Sequence, residues 1–125
     1  MTANQLKKAY NTSHALADSV WNLVKIWDIF SQTIIGTAFI RSLDNTTIAL
    51  AQAAQTNNAI EIGNYVRNAK EEAIESLVWL DKARRRKLII RQDYQHLYVA
   101  LLGLRDLLNE YKVKHQKVSK LQEPS

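Results

Sequence analysis

Apolar side chains recur along this chain at steps of three, four and seven residues, in four successive blocks. That spacing stacks them along one stripe of an α-helix. The first block covers residues 4–27 and carries Leu6, Tyr10, Ala17, Val20, Val24 and Trp27. The second, residues 32–55, carries Ile35, Phe39, Leu43, Thr46, Leu50 and Ala53. The third, residues 58–86, presents Ile62, Val66, Ala69, Ala73, Leu77, Leu80 and Ala83, and the fourth, residues 92–116, presents Tyr94, Leu97, Leu101, Leu104, Leu108 and Tyr111. Blocks of about 24–29 residues give helices of about 36–44 Å. Long amphipathic helices with short connections predict an all-α fold, an antiparallel up-and-down four-helix bundle.

The connections are read from capping chemistry. Thr56-Asn57-Asn58 interrupts the second and third blocks with residues that favour turns and helix N-caps. Nothing between Trp27 and Thr33 is Gly or Pro, so one bent helix over the first two blocks is an alternative; the first turn is placed near Asp28 to Ser31, because both residues can cap a helix N-terminus. Leu88 to Arg91 forms the third connection, apolar and basic where glycine is more usual. Residues 1–117 are expected to form the bundle and 118–125 a flexible C-terminal tail.

Composition narrows the choice further. Three glycines and a single proline, Pro124, are too few to punctuate a β-sandwich or barrel. With 46% hydrophobic and 23% charged residues the balance is globular. No cysteine is present, which excludes disulfides, thiolate metal sites and cysteine nucleophiles. The N-terminal ten residues lack a signal-peptide core, and the best apolar window, Ile29 to Ile40, is too short to span a bilayer. A soluble cytoplasmic protein with no membrane partner is expected.

No constellation for catalysis is found. His14, His96 and His115 lie in different blocks and belong to no HExxH or ExxH pattern, and Glu71, Glu72 and Glu75 lack the histidine three residues on that a di-iron bundle requires. The serines sit in no nucleophile elbow, and no glycine-rich phosphate loop occurs. The expectation is a non-enzymatic protein with no cofactor and no metal.

Charge supplies the most informative local signal. Residues 1–81 carry six basic and eight acidic side chains, a net −2, whereas residues 82–125 carry eleven and four, a net +7; together these give the formal +5. Lys82, Arg84, Arg85, Arg86 and Lys87, followed by Arg91, cluster at the end of the third helix. One or two cations would complement the helix macrodipole there, and six in ten residues exceed that need. Arginine forks match phosphate oxygens, so the cluster is assigned as the main nucleic-acid-binding element. Lys112, Lys114 and Lys117 form a secondary basic region toward the other end of the bundle. Trp21, Trp27, Trp79 and the tyrosines mostly fall in phase with the core stripes and are assigned to packing over base stacking, with Tyr65 and Tyr98 at stripe edges. Gly36, Ala38, Ser42, Ala49, Ala53 and Ala54 make the second helix a close-approach surface, within the bundle or between subunits.

These residues resemble a known family. Ile35-Gly36-Thr37-Ala38-Phe39-Ile40-Arg41-Ser42 is similar to the I-G-x-Q-[LI]-[LI]-R-S opening of the second helix in the bacterial four-helix bundle family, which includes proteins encoded in intervening sequences of large-subunit ribosomal RNA genes. Residues 69–80 resemble its A-x-K/x-E-x-x-E-[ST]-x-x-W-L segment, and Tyr94 with the Leu101, Leu104 and Leu108 ladder fits its last helix, so the resemblance spans residues 30–112. Three positions depart from the pattern. The family glutamine is Ala38, its N-I-A-E-G segment is Ala49-Leu50-Ala51-Gln52-Ala53, and the glycine closing its third helix is Lys87. The same superfamily holds the accessory variability determinant of diversity-generating retroelements, also a small basic bundle. The resemblance implies a ring-like homo-oligomer, often a pentamer, with a role in binding RNA or DNA, and in the retroelement case a reverse transcriptase as a further partner.

The sequence therefore predicts a basic, homo-oligomeric bundle that binds nucleic acid through phosphate contacts. The alternative is a structural or interaction scaffold, such as a small antitoxin-like partner, with no nucleic-acid binding. Self-association is checked by light scattering coupled to size exclusion, which is expected to give several times the 14.3 kDa chain mass. A clean monomer at tens of micromolar contradicts it.

Overall fold

A computed structural model describes the backbone of residues 2–122 and the side chains of residues 2–111. Four helices and no strands are found among the described residues. Helix α1 is Ala3–Val24; α2 covers residues 29–54, as Ile29–Ser31, a π-helical stretch Gln32–Gly36 and Thr37–Ala54; α3 is Ala59–Arg85; and α4 is Arg91–Gln122. Each helix packs on its sequence neighbour, and α1 closes the ring against α4, giving the up-and-down bundle. The buried stripe follows the periodic positions. Ile35, Phe39, Leu43, Thr46, Leu50 and Ala53 of α2 are all buried, as are Leu97, Leu101, Leu104 and Leu108 of α4. Alanines facing these large side chains, among them Ala9, Ala17, Ala69 and Ala73, let the helix backbones approach closely. Gly36, Ser42, Ala49 and Ala53 are buried in the same interior, so these small residues of α2 serve packing within the bundle.

Side chains cap the helix N-termini. Thr2 and Gln5 form a capping box on α1, with the Thr2 hydroxyl accepting from the Gln5 N–H at 3.1 Å and the Gln5 side chain accepting from the Thr2 N–H at 2.8 Å. Asn58 caps α3, accepting from the Ile60 and Glu61 N–H groups at 3.0 and 3.1 Å. Asp28 caps α2 by accepting from the Ser31 N–H at 3.1 Å, and hydrogen bonding from the Ser31 side chain, then from its N–H, holds the carboxyl below the usual range. The chain therefore turns before Asp28, and Ser31 lies inside the helix. Gln32 then reaches back, donating through Nε2 to the Val24 and Lys25 carbonyls at 3.1 Å each. It gives the Lys25 carbonyl a partner and adds a second donor to the Val24 carbonyl, which also accepts from the Trp27 N–H at 3.0 Å. The π-helical turn begins at Gln32 and ends at Gly36, whose missing side chain makes room for Val24.

The α3–α4 connection is a Schellman turn. The Lys87 N–H donates to the Arg84 carbonyl at 3.0 Å and the Leu88 N–H to the Ala83 carbonyl at 2.9 Å. This closure requires a left-handed residue, and Lys87 occupies that position at φ 60°. Buried serines and threonines raise no polar deficit: Ser42, Thr46 and Ser76 donate to carbonyls three or four residues earlier. Among the described residues no buried side-chain polar atom lacks a partner.

Three substitutions separate these backbone requirements in thermal melts followed by circular dichroism. Gly36→Ala drives a Cβ into a Val24 methyl carbon and is expected to destabilise by about 1–3 kcal/mol. Gly103→Ala meets nothing within 4 Å on an exposed helical face and should stabilise by about 0.5–1 kcal/mol. Lys87→Gly relieves the left-handed strain and should stabilise by about 1 kcal/mol. A Gly36→Ala protein as stable as the parent, or a Lys87→Gly protein less stable, contradicts the packing described.

Candidate nucleic-acid interface

The fold gathers the basic cluster at one end of the bundle. Lys82, Arg84 and Arg85 occupy the last turn of α3, Arg86 follows as its C-cap, Lys87 sits at the left-handed position, and Arg91 opens α4. Lys82, Arg84, Arg85, Arg86, Lys87 and Arg91 are all exposed. The side chains of Lys112, Lys114 and Lys117, with the tail expected over 118–125, fall outside the residues whose side chains are described.

Asp81 organises the arginines. Arg84 Nη2 lies 2.8 Å from one of its carboxylate oxygens and Arg85 Nε lies 2.7 Å from the other. The hydrogen bond from Arg84, followed by that from Arg85, holds the Asp81 carboxyl below its usual range, and the same contact raises the pKa of Arg84. Two of the cations are thus partly neutralised and fixed in place. Lys82, Arg86, Lys87 and Arg91 form no ion pair among the described residues, which leaves them more available to an external anion. Asp81 escaped the sequence reading, although a carboxylate three and four residues before two arginines is the spacing that pairs them on a helix.

Arg84 also contacts the next helix. Its guanidinium carbon lies 5.2 Å from the centroid of the Tyr94 ring, and Tyr94 stacks on Tyr98 with centroids 5.6 Å apart and planes 17° from parallel. Beside this column opens a cleft of about 490 Å³, lined by Arg84, Lys87, Ile89, Arg91, Tyr94 and Gln95. The sequence placed Tyr94 in the core stripe. It is half-buried and packs on the core, but it also faces this cleft. The turn brings residues 84 and 94 together, and no helical period encodes that contact.

A second feature shares the same end. Ile26, Ile29, Phe30, Ile34 and Ile90, from the two connections and the start of α2, are between 50% and 80% exposed. Phe30 and Ile34 line a shallow depression with Ile35, Leu88 and Arg86. Single exposed apolar residues are ordinary, whereas here five gather at one end of the bundle. Trp21, assigned by sequence with the packing aromatics, is 59% exposed; its place on α1 puts it outside the stripe of Val20 and Val24. Tyr98 is exposed, Tyr65 is half-buried, and Trp27 and Trp79 pack on the core.

Elsewhere the polar clusters are quiet. Glu72 has its pKa raised by partial burial and by the neighbouring Glu75. His14 lies against the Tyr10 ring at 5.9 Å. Among the described residues no group of three or more His, Asp or Glu side chains is placed to hold a metal ion, and no helix is long and apolar enough to cross a membrane.

Comparison with known proteins finds a relative in structure only. No protein-family model matches the chain, and no curated protein matches it. A crystal structure of a Bacteroides thetaiotaomicron protein, described as of unknown function and from the S23 ribosomal protein family, superposes with a TM-score of 0.75. The match covers 85% of this chain and 96% of that one at 21% sequence identity. At that identity the similarity establishes a shared four-helix fold.

Proposed function

We propose that this protein is a non-enzymatic bundle that binds nucleic acid at the α3–α4 end, chiefly through contacts to phosphate. One observation carries the reading: Lys82, Arg84, Arg85, Arg86, Lys87 and Arg91 converge on a single turn, far more charge than a helix C-terminus requires. Four of these cations, Lys82, Arg86, Lys87 and Arg91, are not engaged by a carboxylate among the described residues, as a phosphate-binding surface needs. The ribosomal-protein family named for the structural neighbour accords with an RNA partner. Self-assembly would repeat the patch and raise avidity wherever one strand reaches several copies.

A second reading is favoured by the apolar end. Ile29, Phe30 and Ile34 beside Arg86 suit a protein partner with its own apolar patch bordered by carboxylates. A reverse transcriptase, in a retroelement accessory role, belongs to this class.

Binding of a fluorescent RNA hairpin or DNA duplex, followed by anisotropy across a salt series, tests the first reading. Affinity is expected to fall steeply between about 50 and 200 mM salt with little sequence preference. Replacing Arg84, Arg85 and Arg86 together by Ser should lower affinity at least tenfold at low salt, an expectation scaled from about 0.7–0.9 of salt slope per lost phosphate contact. Asp81→Asn, which frees two arginines, should raise affinity about two- to fivefold. Lys87→Gly should weaken binding while stabilising the fold. Wild-type protein with no salt-dependent binding at low micromolar concentration removes the proposal. Replacing Phe30 and Ile34 by Ser should leave that affinity within about twofold, since neither side chain bears charge. A loss as large as that of the arginine triple would place the apolar and basic residues in one nucleic-acid surface.

A further inference from the structure

The cleft beside the α3–α4 turn contains more than charge. Phosphate attraction alone needs only mobile exposed cations, yet Arg84 is held on two sides. Asp81 holds its Nη2 at 2.8 Å, and the Tyr94 ring lies 5.2 Å from its guanidinium carbon. A guanidinium so fixed is a planar surface, and the column it begins continues through Tyr94 to Tyr98. Planar cations and aromatic rings are the surfaces on which unpaired nucleobases stack. Gln95 adds an amide that both donates and accepts, and Ile89 an apolar wall. Lys87 and Arg91 line the cleft and form no ion pair among the described residues, which suits the flanking phosphates. A volume of about 490 Å³ has room for one nucleotide.

We infer that this cleft is a base-stacking subsite, in which one unpaired nucleobase of a single-stranded segment extends the Arg84–Tyr94–Tyr98 column while Lys87 and Arg91 hold its phosphates. The inference rests on the nucleic-acid reading above and makes it specific. Duplex, whose bases are already stacked and paired, reaches the cations but not the column. Loops, bulges and free ends are the ligands expected.

The test separates stacking from charge. Three probes are titrated against the full chain at low salt: a ten-nucleotide oligoadenylate, an abasic phosphodiester strand of the same length and charge, and a blunt duplex long enough to stay paired, compared per phosphate. Wild type should bind the base-containing strand about five- to tenfold more tightly than the abasic one, the low end of what one stacked base contributes. Arg84→Lys keeps the charge and removes the plane. It should bring the two single strands to equal affinity; the ratio of the two affinities is the readout, because Arg84 also belongs to the phosphate surface. Tyr94→Leu should do the same, whereas Tyr94→Phe, which retains the ring, should preserve the discrimination. Circular dichroism identifies any variant that has lost its fold, and Arg84, exposed at a helix end, provides the variant least exposed to that problem. Equal wild-type binding of base-containing and abasic strands, with salt dependence intact, overturns the stacking subsite and leaves the phosphate surface standing. Discrimination that persists in Arg84→Lys also overturns it. Absence of binding to all three probes overturns the nucleic-acid reading and the subsite together.

Discussion

The left-handed backbone at Lys87 is the constraint on which the basic end depends. A helix of 27 residues must stop, reverse and hand its chain to α4 within five residues, without glycine or proline in the turn. The Schellman bonds from Lys87 and Leu88 achieve this, and they satisfy carbonyls of Arg84 and Ala83 in doing so. Because the turn is tight, Arg84 and Tyr94 face one another across it, and Arg91 returns beside Lys87 to line one cleft. A longer or looser loop would scatter the same charges. Lysine at φ 60° is less stable than glycine there, and a strained residue among converging cations is where local stability and function are expected to conflict.

The same glycine economy shapes the rest of the bundle. Side chains satisfy backbone groups at the helix termini: Thr2 with Gln5, Asp28 and Asn58 as N-caps, and Gln32 at the end of α1. Glycine is used where space demands it, at Gly36, where the end of α1 presses on the π-helical turn of α2. That contact and the alanine-rich interior draw the helices together, so both short connections and their exposed isoleucines gather at one end. The resulting surface is mixed, basic on the α3–α4 turn and apolar around Ile29 and Phe30. The two halves suit different partners, and a charged polymer satisfies only the first.

Much of this was legible in the sequence. The helical period named every buried large residue of α2, because one stripe of a long helix has only one core to face. Polar Thr56-Asn57-Asn58 located the second turn, since its side chains cap α3 directly. The first turn was displaced by a few residues: whether Asp28 or Ser31 caps depends on where the chain bends, and Gln32 decides that by bonding back to α1. Trp21 fell outside the core because a block of mixed steps leaves its phase ambiguous near the end of α1. The cluster from Lys82 to Arg91 was visible as charge, but its geometry was not. Asp81 and Tyr94 join it through a turn and a cross-helix contact, and neither leaves a periodic trace.

The central claim is that nucleic acid engages the α3–α4 end of the bundle. Backbone hydrogen exchange read by mass spectrometry, with and without a saturating single-stranded oligonucleotide, tests it without altering any residue and whatever the assembly size. Bound strand should slow exchange across residues 86–95 and leave the turn at residues 55–58, at the opposite end, unchanged. Equal protection at both turns, or protection at neither while the strand is bound, would contradict the account.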